Sequence, residues 1–138
     1  MNEAPVGVAQ APVTIKIMLL ILSIEALGAI AVGVWVGIEA FDEVGSHLVG
    51  TLFLALVCFG LAAFLILTIK GMLQHRAWSR SATLAWQVLQ IGLALGSWND
   101  DNRVVWLAFA LFVPAVIVLF CLFRKSVTAW LAREIPTD

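Results

Sequence analysis

The sequence predicts an all-α fold: a four-helix transmembrane bundle with N and C termini cytoplasmic, forming one integral membrane domain over residues 1–138. Three observations predict it. Val44 to Ile69, Ser81 to Asn99 and Val104 to Phe123 contain no Asp, Glu, Lys or Arg, and each approaches the ~20 residues that cross a hydrocarbon core of ~30 Å. The cations are sorted along the chain. Lys16, Lys70, Arg76, Arg80, Arg124, Lys125 and Arg133 fall on one side of such a bundle, and Arg103 alone falls on the other with Glu39, Asp42, Glu43, Asp100 and Asp101. An excess of Lys and Arg marks the cytoplasmic side. Tryptophans mark the same frame, with Trp35, Trp98 and Trp106 at the outer interface and Trp78 and Trp130 at the inner one, as in an aromatic belt.

Composition agrees. Hydrophobic residues make up 62% of the chain and charged residues 12%, whereas soluble domains are roughly a quarter charged; the mean hydropathy is +1.03. The first dozen residues lack the charged start of a signal peptide, and the first apolar run is too long for its core, so that run is expected to be retained as a span.

Pro5 and Pro12 place a tail ahead of helix 1, expected over about 14–38, with Lys16 snorkelling to the interface. Glu39, Asp42, Glu43 and Gly45 form an acidic loop, and helix 2 follows over about 47–69, closing on Lys70 and Gly71. Lys70, His75, Arg76 and Arg80 make a basic segment that leads into helix 3, about 78–97. Residues 99–103 are a second acidic, turn-rich loop, and helix 4 covers about 104–123. Its Pro114 removes one backbone donor, so a kink is expected there. The cytoplasmic tail, 124–138, carries Val127, Trp130 and Leu131 at helical spacing beside cations. That spacing reads as an amphipathic helix on the membrane surface or as a continuation of helix 4.

Polar residues inside the spans are the candidate site. Glu25 falls near the bilayer centre, where a carboxylate costs at least ~2.5 kcal/mol and faces protein or water. Ala29, Gly33 and Gly37 share its face at four-residue spacing, a helix-packing surface that includes a GxxxG. On helix 3, Thr83, Gln87, Gln90, Ala94 and Ser97 form one polar and small stripe. Counting inward from the same side puts Glu25, Gln87 and Gln90 within a helical turn of one depth, an intramembrane polar cluster that would dock helix 1 on helix 3. It serves either as interhelical glue, where such bonds average ~0.6 kcal/mol, or as a proton or cation site. His47 lies at another level, and His75 is expected to be solvated. Lys70, Arg76, Arg80, Arg124 and Lys125 set topology and face lipid headgroups.

Other chemistry is lacking. No phosphate-loop, zinc-protease or nucleophile-elbow motif occurs, and no carboxylate pair has a spacing suited to acid–base work. Cys58 and Cys121 differ in expected depth by roughly 13 Å, beyond the ~7 Å reach of a disulfide. No metal site or cofactor is expected, and no basic cluster with stacking aromatics points to nucleic acid.

The segment Gln74 to Gln87, QHRAWSRSATLAWQ, resembles one shared by functionally uncharacterised small four-span integral membrane proteins of actinobacteria. There a basic run, then Trp, a small residue and Arg, lead into a helix with Gln inside it. Arg76, Trp78, Ser79, Arg80 and Gln87 are the matching positions. The resemblance continues loosely to Leu119–Phe123 and Arg124, Lys125 and Ser126, about half the chain in all. It departs where the family's arginine run is reduced to His75 and Arg76. It implies a four-span fold and a bacterial origin and adds no activity. A weaker likeness is to the small multidrug resistance transporters, which have a membrane-embedded Glu in helix 1 followed three residues on by Gly, as Glu25 and Gly28 are here. This chain departs from them in its greater length, its basic middle loop and its lack of Tyr.

The functional expectation is a small non-enzymatic integral membrane protein, multi-pass in a bacterial plasma membrane, serving as an accessory or self-associating subunit of a membrane complex. Its expected partners are membrane lipid and other membrane subunits or itself, with no nucleic acid. The alternative is a small proton-coupled transporter or channel using Glu25 with Gln87 and Gln90.

Overall fold

The computed structural model describes residues 8–42, 45–99 and 105–132. Within them lie a 3-10 turn at Val8–Gln10 and five α-helices: α1 (Val13–Glu39), α2 (Ser46–Leu73), α3 (Trp78–Asn99), α4 (Val105–Leu122) and α5 (Lys125–Leu131). The described residues contain no strand. Glu43, Asp100, Asp101, Arg103 and Arg133, and with them most of the second acidic loop, fall outside the described residues.

Three helices, Val13–Glu39, His47–Leu73 and Val105–Leu122, are long and apolar enough to cross a membrane. Their composition explains both their helicity and their solvent. Leu, Ile, Val, Ala and Phe are the majority of their residues, and in a bilayer a helix satisfies every backbone group within its own segment. At ~1.5 Å per residue, α4 is about 27 Å long and α1 about 40 Å. Pro114 sits inside α4, which continues through it as one helix. The fourth expected span, α3, has 22 residues, but its Arg80, Gln87, Gln90 and serines lower its average apolarity.

The chain divides into two compact units. One is Leu22–Lys70, and the other combines the chain up to Ile21 with everything from Gly71 onward. In the Leu22–Lys70 unit, α1 lies close against α2 at Gly33: a Cβ there would lie 3.1 Å from Cys58 Cβ and 3.3 Å from the Phe59 ring. Leu22 and Ala26 on α1 and Ala55, Ala62, Leu65 and Thr68 on α2 are buried. The Thr68 hydroxyl donates to the Phe64 carbonyl at 2.9 Å, one turn back, so the hydroxyl is satisfied without a second helix. Gly45, just before α2, has φ +101°, a backbone conformation that glycine alone adopts without strain.

In the second unit, α3 packs along α4. Trp98, near the end of α3, meets Phe109, near the start of α4, edge to face at 5.8 Å, as two antiparallel helices require. Ala108, Ala115, Val118 and Leu122 line the buried stripe of α4. The start of α1 contributes Ile15, Met18 and Leu19, all buried. Thr14 is tied in by the Ser126 hydroxyl at 3.5 Å, and the Lys16 ammonium caps the Ala9 carbonyl at 3.2 Å.

The helix boundaries depart from expectation mainly at the basic segment. Helix α2 does not stop at Lys70 and Gly71 but runs on to Leu73 and ends in a Schellman motif. The Arg76 amide donates to the Gly71 carbonyl at 2.9 Å and the His75 amide to Met72 at 3.2 Å, while His75 has φ +54°. That paired pattern around a left-handed residue satisfies the last carbonyls of a helix. Glycine usually fills the left-handed position; here histidine does.

The tail also differs. Helix 4 does not simply continue. Arg124 is extended, with φ −69° and ψ 140°, and breaks the chain before α5. Nor does α5 present its apolar residues outward, because Val127, Trp130 and Leu131 are buried in the protein.

Candidate functional site

Helix α3 carries the polar stripe, and the structure turns that stripe inward. Ser79, Thr83 and Gln87 are fully buried, as are Gln90 and Ala94 to within a few per cent, while Ser97 at the far end is half-buried. The outward face of the same helix is Leu84, Val88, Leu89, Leu93 and Leu95, all exposed. The periodicity that produces this is visible in the sequence: the polar residues recur every three or four positions, and leucine and valine fill the gaps. A water-soluble helix has the opposite arrangement.

The buried hydroxyls are satisfied along the chain. Thr83 donates to the Ser79 carbonyl at 2.8 Å, with the Met72 sulfur 3.8 Å away, and Ser79 donates to the Arg76 carbonyl at 2.6 Å. Gln87 differs. Among the described residues neither its Nε2 nor its Oε1 has a hydrogen-bond partner. An unpaired buried amide costs about 1–3 kcal/mol, and Gln87 carries that cost on both polar atoms of its side chain. Gln90 has a partner, although its Oε1 makes no hydrogen bond.

Glu25 is half-buried on α1 and also has a partner. It belongs to the Leu22–Lys70 unit, whereas Gln87 and Gln90 belong to the other. Ala29 is half-buried. The GxxxG face is used at one glycine only. Gly33 lies against Cys58 and Phe59, but among the described residues nothing stands within 4 Å of where a Cβ would be on Gly37 or Gly28.

The basic segment is a built corner. Lys70 and Arg76 are exposed, Arg80 is half-buried, and Arg124 and Lys125 are exposed beyond α4. At the corner His75 is only partly accessible, contrary to the expectation that water surrounds it. Its ring lies 4.3 Å from that of Trp130, and its Nδ1 is 2.7 Å from the Trp130 carbonyl. A carbonyl only accepts, so Nδ1 carries the hydrogen in that contact. The Trp130 indole N–H in turn reaches the Met72 carbonyl at 3.4 Å. Trp130 is therefore turned into the protein. It is the anchor that fastens α5 to the α2–α3 corner. Gly71 completes the corner, since a Cβ there would come within 2.8 Å of the Trp78 ring and 3.2 Å of Ser79 Cβ.

Sequence reasoning missed this latch. The spacing of Val127, Trp130 and Leu131 showed that α5 has an apolar face, but its partner lies 55 residues away, and no local pattern connects the two. Trp35, whose N–H donates to Glu39, and Trp78, Trp98 and Trp106 are exposed.

Among the described residues no three His, Cys, Asp or Glu side chains gather as a metal site would require. Cys58 and Cys121 are free thiols. Compared with protein-family models, with curated proteins and with solved structures, the chain matches none.

Proposed function

We propose that this chain is a small, non-enzymatic, four-span integral membrane protein acting as an accessory or self-associating subunit of a membrane complex. It is multi-pass in a bacterial plasma membrane, with both termini and the α2–α3 corner cytoplasmic. The inverted α3 supports the fourth span. Average apolarity counts all sides of a helix, whereas lipid meets only the outer one, and from Leu84 onward that side is apolar or small. Twenty-two residues reach about 33 Å, enough to cross. The seven cations on one side support the orientation, and the likeness of Gln74–Gln87 to small actinobacterial membrane proteins supports the origin.

The observation that carries the subunit reading is α2. It buries one narrow stripe, Ala55, Ala62, Leu65 and Thr68, and exposes Leu52, Phe53, Leu56, Phe59, Phe64 and Leu67 over the rest. Among the described residues nothing lies within 4 Å of a Cβ position on Gly60 of α2, and small residues of that kind admit a neighbouring helix closely. Native mass spectrometry from mild detergent tests the reading. The expected species carries a second copy or another membrane subunit, and a chain that stays single in detergent and in nanodiscs contradicts it.

A second reading, a small proton-coupled transporter or channel using Glu25 with Gln87 and Gln90, is favoured by one observation: the unpaired amide of Gln87, two polar atoms that a passing group would use. Substitution separates the two. If the amide is only a packing cost, Gln87→Leu holds or raises thermal stability, and Glu25→Gln assembles normally while Glu25→Leu does not. If the residues carry a substrate, Gln87→Leu and Glu25→Gln fold and lose proton-linked flux in proteoliposomes.

A further inference from the structure

We propose that the cytoplasmic end of α4 holds one anionic phospholipid, with its phosphate on Arg124 and Lys125 and an acyl chain along Val116, Leu119, Phe120 and Phe123. The proposal rests on the reading of α4 as a membrane span and goes beyond it, because it separates these two cations from the rest of the basic set.

A shallow groove of about 450 Å³ runs here, lined by Val116, Leu119, Phe120, Phe123 and Arg124. The four apolar residues recur at three- and four-residue spacing and so form one strip along the helix axis. The groove is apolar along its length and cationic at one end. Arg124 closes that end because the chain leaves helical geometry there, and its guanidinium carbon sits 4.9 Å from the centre of the Phe120 ring. A guanidinium lying over an aromatic face keeps its N–H edge free, and that planar fork matches a phosphate. Lys125 follows it, also exposed. The described residues of this unit, which also hold Arg76 and Arg80, include no Asp or Glu.

Charge complementarity selects the occupant. A partner helix laid in the strip would cover Arg124 without neutralising it, and a free phosphate would leave the apolar strip bare. An amphiphile with an anionic head satisfies both parts. A zwitterionic choline lipid brings its own cation to the head region and so gains less from a pair of basic residues.

The test uses the full-length protein in mild detergent, with phosphatidylglycerol or phosphatidylcholine added and bound lipid counted by native mass spectrometry. The wild type is expected to retain one phosphatidylglycerol and to prefer it over phosphatidylcholine by about thirtyfold, as two basic residues at an anionic surface would give. Arg124→Gln with Lys125→Gln is expected to abolish that preference, whereas Arg76→Gln leaves it. Val116→Trp, which fills the strip and keeps every charge, is expected to lose the lipid too. Equal losses in Arg76→Gln and Arg124→Gln, or unchanged binding in Val116→Trp, overturn the groove in favour of diffuse attraction. Carbonate extraction of cell membranes keeps the two readings apart. A chain released by carbonate fails as a membrane span, whereas a retained chain that binds both lipids equally fails only the lipid site.

Discussion

Gly33 and Gly37 lie one turn apart on α1 and are interchangeable in the sequence, yet among the described residues only Gly33 has an atom within 4 Å of a Cβ position. A methyl group on Gly33 would stand 3.1 Å from Cys58 Cβ, an atom that moves only if the α2 backbone moves, whereas the space around Gly37 is open. Overpacking of this kind costs about 1–3 kcal/mol, while Gly→Ala at an unobstructed helical position gains up to about 1 kcal/mol. Gly33→Ala is therefore expected to lower the thermal midpoint followed by circular dichroism in detergent, and Gly37→Ala to hold or raise it. Equal losses at the two positions would show that the GxxxG acts as a unit. The small-residue face was legible because glycine spacing is a local property. Which glycine is used depends on where α2 places Cys58 and Phe59, and that is a tertiary fact.

At the scale of the element, α5 shows how a tail becomes part of a fold. Its seven residues are too few to be helical alone, since isolated helices below about 12–15 residues are marginal in water. Burial of Trp130 and its bond to Met72 supply what the helix lacks. His75 closes the contact while holding the left-handed position that ends α2, a conformation that costs a non-glycine residue about 1–2 kcal/mol. Trp130→Ala is expected to release α5, read as fast amide exchange across residues 125–132 with α3 and α4 still protected. Protection retained in that variant would mean that α5 is held by something else. His75→Gly removes the same ring as His75→Ala but suits the backbone, so it is expected to be the more stable variant by about 1 kcal/mol. The reverse order would contradict the Schellman assignment. The existence of this helix was legible from Val127, Trp130 and Leu131, but its docking site was not, and for that reason neither the burial of Trp130 nor the partial burial of His75 could be read from the sequence.

For the whole molecule, the arrangement rests on the inversion of α3, polar side chains inward and leucines outward. Three spans follow from apolar length alone. The fourth depends on where its polarity points, which is why the stripe at Thr83, Gln87 and Gln90 mattered more in the sequence than the helix's average composition. With four spans both termini share one side, and with three they do not. Single cysteines at Gln74 and at Asp101, introduced after Cys58 and Cys121 are replaced by serine, decide between the two. Labelling with a membrane-impermeant maleimide in intact spheroplasts is expected at position 101 directly and at position 74 only after permeabilisation. Labelling of both positions from the same side would contradict the account, because α3 would then lie along the membrane rather than through it.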